Sequence, residues 1–103
     1  MTNREAMTQE EKIREHVDEC IDKYKSQCGL GFMVSVPDPE TREHVVNCGT
    51  SILMTKWGIC PGGGFVQAVV DNNLSEAFGR ADSVNEDALK FYVMLMYNSS
   101  YID

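Results

Sequence analysis

Apolar residues in the first third of the chain recur every three or four positions, which predicts an amphipathic helix. They are Ile13, Val17, Cys20, Ile21, Tyr24 and Cys28. Thr8 followed by Glu11 matches a capping box, in which a hydroxyl and a carboxylate satisfy free amides at a helix start. Gly29 and Gly31 follow the pattern and are typical of a helix end. We therefore expect a helix from about residue 9 to 28, preceded by a loose tail over residues 1–7.

The next apolar segments favour a β-hairpin. Aromatic and β-branched residues stand at alternate positions in 32–36, and the Pro37-Asp38-Pro39 sequence prevents the strand from continuing. Val45 and Val46 suit a returning strand, although residues 40–43 also suit a helix start. A six-residue polar connection has a normal hairpin length, so we expect 32–36 to pair with 44–48. Gly49-Thr50 is then interpreted as a turn and cap before a short helix to about residue 58.

The remaining sequence predicts helices. Residues 61–64 form a glycine-rich loop before a helix that begins near Phe65, and residues 71–73 interrupt this helix. Ser83 and Glu86 resemble a second capping box before a helix from about 84 to 97. That helix is apolar on nearly every side, which favours either a central position or a homo-oligomer, most simply a dimer. The expected fold is one α+β domain over 1–103, with an N-terminal helix, a short β-hairpin and then three or four helices.

Charge and composition restrict the class of protein. Sixteen acidic and nine basic residues give a net charge of -7, which disfavours direct nucleic-acid binding. There is no apolar stretch of membrane-spanning length, and residues 1–19 are charged throughout, so we expect neither a membrane span nor a secretory segment. The four cysteines include no CxxC pair, and we expect free thiols in a cytoplasmic protein.

Two sequence features raise alternatives to a simple binding protein. The only two histidines lie in a repeated Arg-Glu-His-Val-x-x-Cys segment, at 14–20 and 42–48, which suggests a Cys2His2 zinc site. If 44–48 is a strand, its ligands lie too far apart, so we expect no metal and no cofactor. The second feature is the loop Gly62, Gly63, Gly64 and Phe65, whose amides could hold a phosphate or another small ligand. It lacks the Lys and Ser/Thr of a P-loop.

Acidic residues on the first predicted helix are the candidate binding residues. Their spacing places four of them on one helix face: Glu15, Asp18, Glu19 and Asp22. No local signature joins a cysteine or serine to a histidine, so we expect no enzyme activity and no catalytic residues.

A segment in the second half resembles a family of short, mostly uncharacterised proteins from tailed phages and prophages. The shared pattern is P-x-G-x-F-x-x-A-V-x-x-N-x-L-x-x-A-x-x-x-A-D-x-x-N, followed by an apolar helix that ends in Tyr-Asn. Residues 61–98 carry it, which is 38 of 103 positions. Family members usually continue with Pro and Trp-Gly-Ser, whereas residues 99–103 here are Ser-Ser-Tyr-Ile-Asp. The resemblance implies phage-type biology and no catalytic residues.

These observations favour a non-enzymatic phage or prophage accessory protein that binds a host protein. One form of this function is inhibition of a host defence or nucleic-acid-handling protein, whose basic surface the acidic face would occupy. The alternatives are a small-ligand or nucleotide-binding module that uses the glycine loop and a zinc-stabilised structural protein.

Overall fold

The computed structural model describes residues 7–103, and within them the chain is helical with no β-strand. The helices are α1 (Gln9–Tyr24), α2 (Leu30–Ser35), α3 (Pro39–Lys56), α4 (Gly64–Val70), α5 (Leu74–Arg80) and α6 (Ser83–Asn98), with a 3-10 turn at Lys25–Gln27. The predicted α+β fold is therefore wrong. The predicted tail over 1–7 lies, apart from Met7, outside the described residues.

The first predicted strand, 32–36, is instead the short helix α2. Phe32 and Val36 are fully buried, whereas Val34 between them is 69% exposed. This is the spacing of one helix face, because residues four apart lie on the same side of a helix. Gly29 has a φ of 96°, a conformation that favours glycine, and it turns the chain from the 3-10 turn into α2.

The second predicted strand, 44–48, lies in the middle of α3, the longest helix. Asp38 caps this helix by accepting a hydrogen bond from the Thr41 backbone N–H at 3.0 Å, and Pro39 occupies the first helical position. The predicted turn at Gly49-Thr50 is also helical. The Thr50 hydroxyl donates to the Val46 carbonyl at 2.7 Å, which keeps its oxygen bonded inside the helix.

Helices occur where the rest of the sequence predicts them, with two corrections. The first helix ends at Tyr24 and not near 28, and the short helix expected to end near 58 is the last part of α3. Thr8 and Glu11 form the capping box of α1, with both of its reciprocal hydrogen bonds. The interruption at 71–73 separates α4 from α5, and Asn73 caps α5. The start of α6 differs in detail, because Asp82 rather than Ser83 is the cap: its carboxylate accepts from the backbone N–H of Asn85 at 2.8 Å.

Helix α6 packs against α1, α2 and α3. Its buried residues are Asn85, Ala88, Leu89, Phe91, Tyr92 and Leu95. The apolar surface that suggested a second subunit is therefore mostly covered within the chain, and Val93 and Tyr97 are the large apolar side chains of α6 that stay exposed. Self-association stays a prediction. A second subunit is not needed to bury α6, because the other helices of the chain already do so.

A buried hydrogen bond joins two side chains of α6. The Tyr92 hydroxyl donates to Asn85 Oδ1 at 2.6 Å, and neither residue is open to solvent. Burial is also the main cause that raises the pKa of Tyr92, so this hydroxyl remains a donor. The pair satisfies a polar group that would otherwise be costly in the core.

We expect Tyr92→Phe to lower the free energy of unfolding by about 1–3 kcal/mol, because it leaves the buried Asn85 oxygen without its donor. Urea unfolding measures the change. Tyr97→Phe is the matched control, since Tyr97 is 88% exposed, and it should change stability by less than about 0.5 kcal/mol. Equal stabilities for both variants would mean that the buried hydrogen bond contributes nothing.

The three longest helices are α1, α3 and α6, with 16, 18 and 16 residues. A helix that crosses a bilayer needs about 20 predominantly apolar residues. No helix within residues 7–103 combines the length and the apolar character for a membrane span.

Candidate functional site

An apolar groove with a volume of about 480 Å³ lies between α2, α5 and α6. Its apolar lining consists of Cys28, Phe32, Leu74, Phe78, Leu89 and Val93. Three helices that are far apart in the sequence therefore contribute to one surface. We refer to this depression as the α6 groove.

The floor of the α6 groove is formed where α2 packs on α6. The rings of Phe32 and Phe91 stack with centroids 5.2 Å apart and an interplanar angle of 17°. A Cβ at Gly31 would lie only 3.0 Å from Asp87 Oδ1, so glycine allows the two helices to approach closely there. Cys28, just before α2, contacts α6 further along the helix, with its thiol 3.7 Å from the Met94 sulfur.

The walls of the α6 groove are open to solvent. Leu74, Phe78 and Val93 are 65%, 49% and 51% exposed, although each is a large apolar side chain. Isolated exposed apolar residues are ordinary, but these three lie together around one groove. Glu86, Asp87 and Lys90 also line the groove, and both acidic groups lie near the start of α6.

The α6 groove has one thiol among its lining residues, that of Cys28. Burial raises the pKa of this thiol, which favours the protonated and less reactive form. Cys48, near Tyr92 in the core, has its pKa raised to about 11, again mainly by burial.

The predicted acidic face on α1 is present, but part of its charge is already bound within the chain. Arg42 of α3 donates to Asp18 at 2.8 Å and to both carboxylate oxygens of Asp22 at 3.0 and 3.1 Å. The hydrogen bond from Arg42 is the main cause that lowers the pKa of Asp22. These two carboxylates join α1 to α3. Glu19 remains exposed and Glu15 is half-buried.

The predicted glycine loop is packed against neighbouring side chains. A Cβ at Gly62 would overlap Val66 Cγ1 at 2.3 Å, and one at Gly64 would lie 2.8 Å from a terminal nitrogen of Arg80. Arg80 in turn donates to Glu76 at 2.9 Å. Gly63 has open space around it. Close packing therefore explains why glycine occupies positions 62 and 64. Binding of a small ligand by this loop stays a prediction.

Phe65, the last residue of that predicted site, points towards the core. It is half-buried and meets Tyr92 edge-on, with ring centroids 6.0 Å apart. This ring contact joins α4 to α6, whereas the more extensive packing of α4 is against α3 and α5.

The two histidine and cysteine pairs have different partners and do not converge. His16 Nε2 lies 3.6 Å from the Cys20 sulfur and 2.8 Å from the Ser99 hydroxyl. His44 instead pairs with Asp82 at 3.1 Å. Both pairs are helical, so the predicted strand at 44–48 was the wrong reason to separate them. Among residues 7–103 there is no group of three or more His, Cys, Asp or Glu side chains placed to hold a metal ion.

His16 gives the fold a specific pH dependence. Burial lowers the pKa of His16, and the Glu19 charge only partly opposes this. A lowered pKa means that the unfolded chain takes up a proton first, so the contribution of His16 to stability is complete above about pH 6.5 and falls below it.

We therefore expect the stability of the parent protein, relative to a His16→Gln variant, to fall between pH 7.5 and 5.5. Urea unfolding at several pH values measures the stability difference between the two proteins. Because both proteins share the other titratable groups, the effects of those groups cancel in this difference. A His44→Gln variant still contains His16, so it should keep the loss of stability that His16 causes at acidic pH. A pH-independent difference between the parent and His16→Gln would contradict the prediction.

No protein-family model, curated protein or solved structure matches this chain. The function therefore has to be argued from the geometry.

Sequence reasoning missed the α6 groove, although one signal was available. Leu74 and Phe78 are four residues apart on a short helix, and both are exposed. This helix has seven residues and buries one of them, Ala77. An apolar pair left exposed on such a helix is a candidate for binding another surface. The lining from α2 could not be found, because that segment was predicted to be a strand.

Proposed function

We propose that the protein is a non-enzymatic binding protein and that it docks a partner protein in the α6 groove. The observation that carries the proposal is the set of large apolar side chains left exposed around the groove: Leu74, Phe78 and Val93. Removing such side chains from water is the dominant favourable contribution to most protein association. The neighbouring charges would set the orientation and the choice of partner.

The open shape of the groove favours a protein over a small molecule. Small-ligand sites usually enclose most of the ligand surface, with a few well-placed polar groups. Here the wall residues are about half or more exposed, so a small molecule would remain largely in water. A partner protein can cover the walls as well as the floor.

Phage or prophage biology is part of the proposal. Support for it comes from the family-like segment 61–98, because this segment contains α4, α5 and α6 and so supplies two of the three walls of the groove. The charge of -7 favours a basic partner, such as a host protein that handles nucleic acid in the cytoplasm. The partner would then be held by the groove, with the remaining acidic surface increasing the association rate.

The test is a selection of displayed random peptides against the full chain, followed by affinity measurements on two matched variants. Val93→Arg places a charge in the groove, and Val34→Arg places the same charge on exposed α2 surface outside it. We expect Val93→Arg to weaken selected peptides at least about thirtyfold, the effect of losing about 2 kcal/mol at a central contact. Val34→Arg should leave their affinity nearly unchanged.

Two results would overturn the proposed function. One is a selection that yields no specific binder to the folded chain. The other is a set of binders whose affinity for Val93→Arg equals that for the parent. Circular dichroism establishes that each variant keeps the helical fold.

A further inference from the structure

The α6 groove continues along α6 beyond the three-helix junction. Two further depressions adjoin it, of about 30 and 270 Å³, and Val93 lines all three. The first of these also shares Leu74 and Leu89 with the groove, and the second extends to Tyr97 and Lys56. Together they form one trough along a single face of α6, from Glu86 to Tyr97.

From this trough we infer the class of partner segment, an inference that rests on the proposed function. We propose that the occupant is an amphipathic helix of about three turns, with an apolar face and with Lys or Arg at one end. The distance from Glu86 to Tyr97 along α6 is about 16 Å at 1.5 Å per residue, which is the length of three helical turns.

The secondary structure of the occupant follows from the backbone of this protein. Within residues 7–103 there is no strand, so the trough offers no sheet edge with which an extended peptide could pair. Along the middle turns of α6 the backbone groups are bonded within the helix. An occupant that buries its own backbone here must satisfy its amides and carbonyls internally, and a helix does so.

The charge of the occupant follows from the ends of the trough. Glu86 and Asp87 lie near the start of α6, where each is exposed and neither forms an ion pair with another described residue. At the other end the Lys56 ammonium is already bound to the Met96 carbonyl. Lys90 lies one turn after Glu86 and offsets one of the two carboxylates, which leaves a net negative charge at the α6 start. A cationic residue on the occupant would lie there.

A second copy of this chain fits the trough less well. Each copy carries a charge of -7, so two copies repel each other. The exposed apolar residues of α2 and α5 could pack together, but a second chain with a charge of -7 brings no surplus of cations to the acidic end of the trough. A basic helix from another protein satisfies both the apolar and the acidic parts.

Three designed peptides of about 12 residues test this inference against the full chain by fluorescence anisotropy. The first has leucines on one helix face and two arginines at one end. The second replaces the arginines with glutamates, and the third replaces two central residues with prolines, which prevent the helix. At physiological salt, where attraction to remote charges is screened, we expect the first peptide to bind at least about tenfold more tightly than the others.

Matched variants locate the charge effect. In the double variant Glu86→Gln, Asp87→Asn, the arginine peptide and the glutamate peptide should bind with nearly equal affinity. A control with the same charge change, Glu40→Gln with Glu43→Gln on α3, should keep the preference, because these exposed residues lie outside the trough.

Specific outcomes overturn the helix inference while leaving the proposed function intact. In one, the proline peptide or the glutamate peptide binds as tightly as the arginine peptide. In another, the arginine peptide does not bind at all. In each case the selected peptides still lose affinity for Val93→Arg. A dimer that Val93→Arg dissociates would assign the trough to a second copy and also overturn the inference. If Val93→Arg has no effect on any selected peptide, the proposed function itself fails.

Discussion

Replacing Phe91 with alanine is expected to lower the free energy of unfolding by about 3–5 kcal/mol. Phe91 is fully buried in α6, where it stacks on Phe32 and also contacts Tyr92. The substitution removes a large apolar side chain, opens a cavity and releases α2 from its anchor. A domain of this size has about 5–15 kcal/mol of stability, so the variant should be partly unfolded at moderate temperature.

Phe78→Ala is the matched control for Phe91→Ala. Phe78 is half-exposed on α5, so its removal should cost no more than about 1 kcal/mol. Because Phe78 lines the α6 groove, the same variant should bind selected peptides more weakly while it stays folded. Urea unfolding and binding measurements on both variants test the two statements. Equal destabilisation by Phe78→Ala and Phe91→Ala would contradict the proposed division between core and surface.

Gly49→Val is the second substitution with a large expected effect. A Cβ at Gly49 would lie 2.8 Å from Val17 Cγ1 and 3.1 Å from Leu95 Cδ2, so α1, α3 and α6 approach closely through this glycine. Overpacking of a well-packed core costs about 1–3 kcal/mol and sometimes more. Because valine adds three carbons at this contact, we expect a loss of about 3 kcal/mol or complete unfolding.

Gly79→Val is the matched control, because Gly79 is also helical but a Cβ there would have no neighbouring side chain within 4 Å. Its stability should change by less than about 1 kcal/mol, since valine has a slightly better helix propensity than glycine. Thermal and urea unfolding compare the two variants. A Gly49→Val protein as stable as Gly79→Val would mean that the three helices are not in close contact at Gly49.

The parts of the fold that the sequence predicted correctly have local signals. The α1 capping box needs only Thr8 and Glu11, and the break between α4 and α5 needs only the polar residues 71–73. These signals act within a few residues and do not depend on the rest of the protein.

The two predicted strands failed because their patterns are ambiguous over a short window. A segment of five residues, 32–36, shows both an alternating pattern and an i,i+4 pair, and it is Phe91 on α6 that stabilises the helical choice. In α3, Gly49 looked like a turn because its role is set by Val17, which lies 32 positions earlier. Asp38 and Pro39 are the helix-start signal of α3, but the same Pro-Asp-Pro sequence is also typical of a turn.

The candidate site was harder to predict than the fold. The acidic face of α1 follows from helical spacing, but its partial neutralisation depends on Arg42, which reaches it from α3. The α6 groove requires three helices to be placed in space, and one of them was predicted to be a strand. The apolar character of the last helix follows from the sequence. Most of its apolar side chains are buried by other helices of the same chain.

The most direct test of the central claim is to map a selected peptide on the folded protein by methyl NMR. Leu74, Leu89 and Val93 report on the α6 groove, and Leu30 and Val34 report on exposed α2 surface outside it. Docking in the groove predicts that the largest methyl shift changes on peptide addition occur at Leu74, Leu89 and Val93. Changes centred on Leu30 and Val34, or on the α1 face that carries Glu19, would contradict the proposal that the groove is the binding surface.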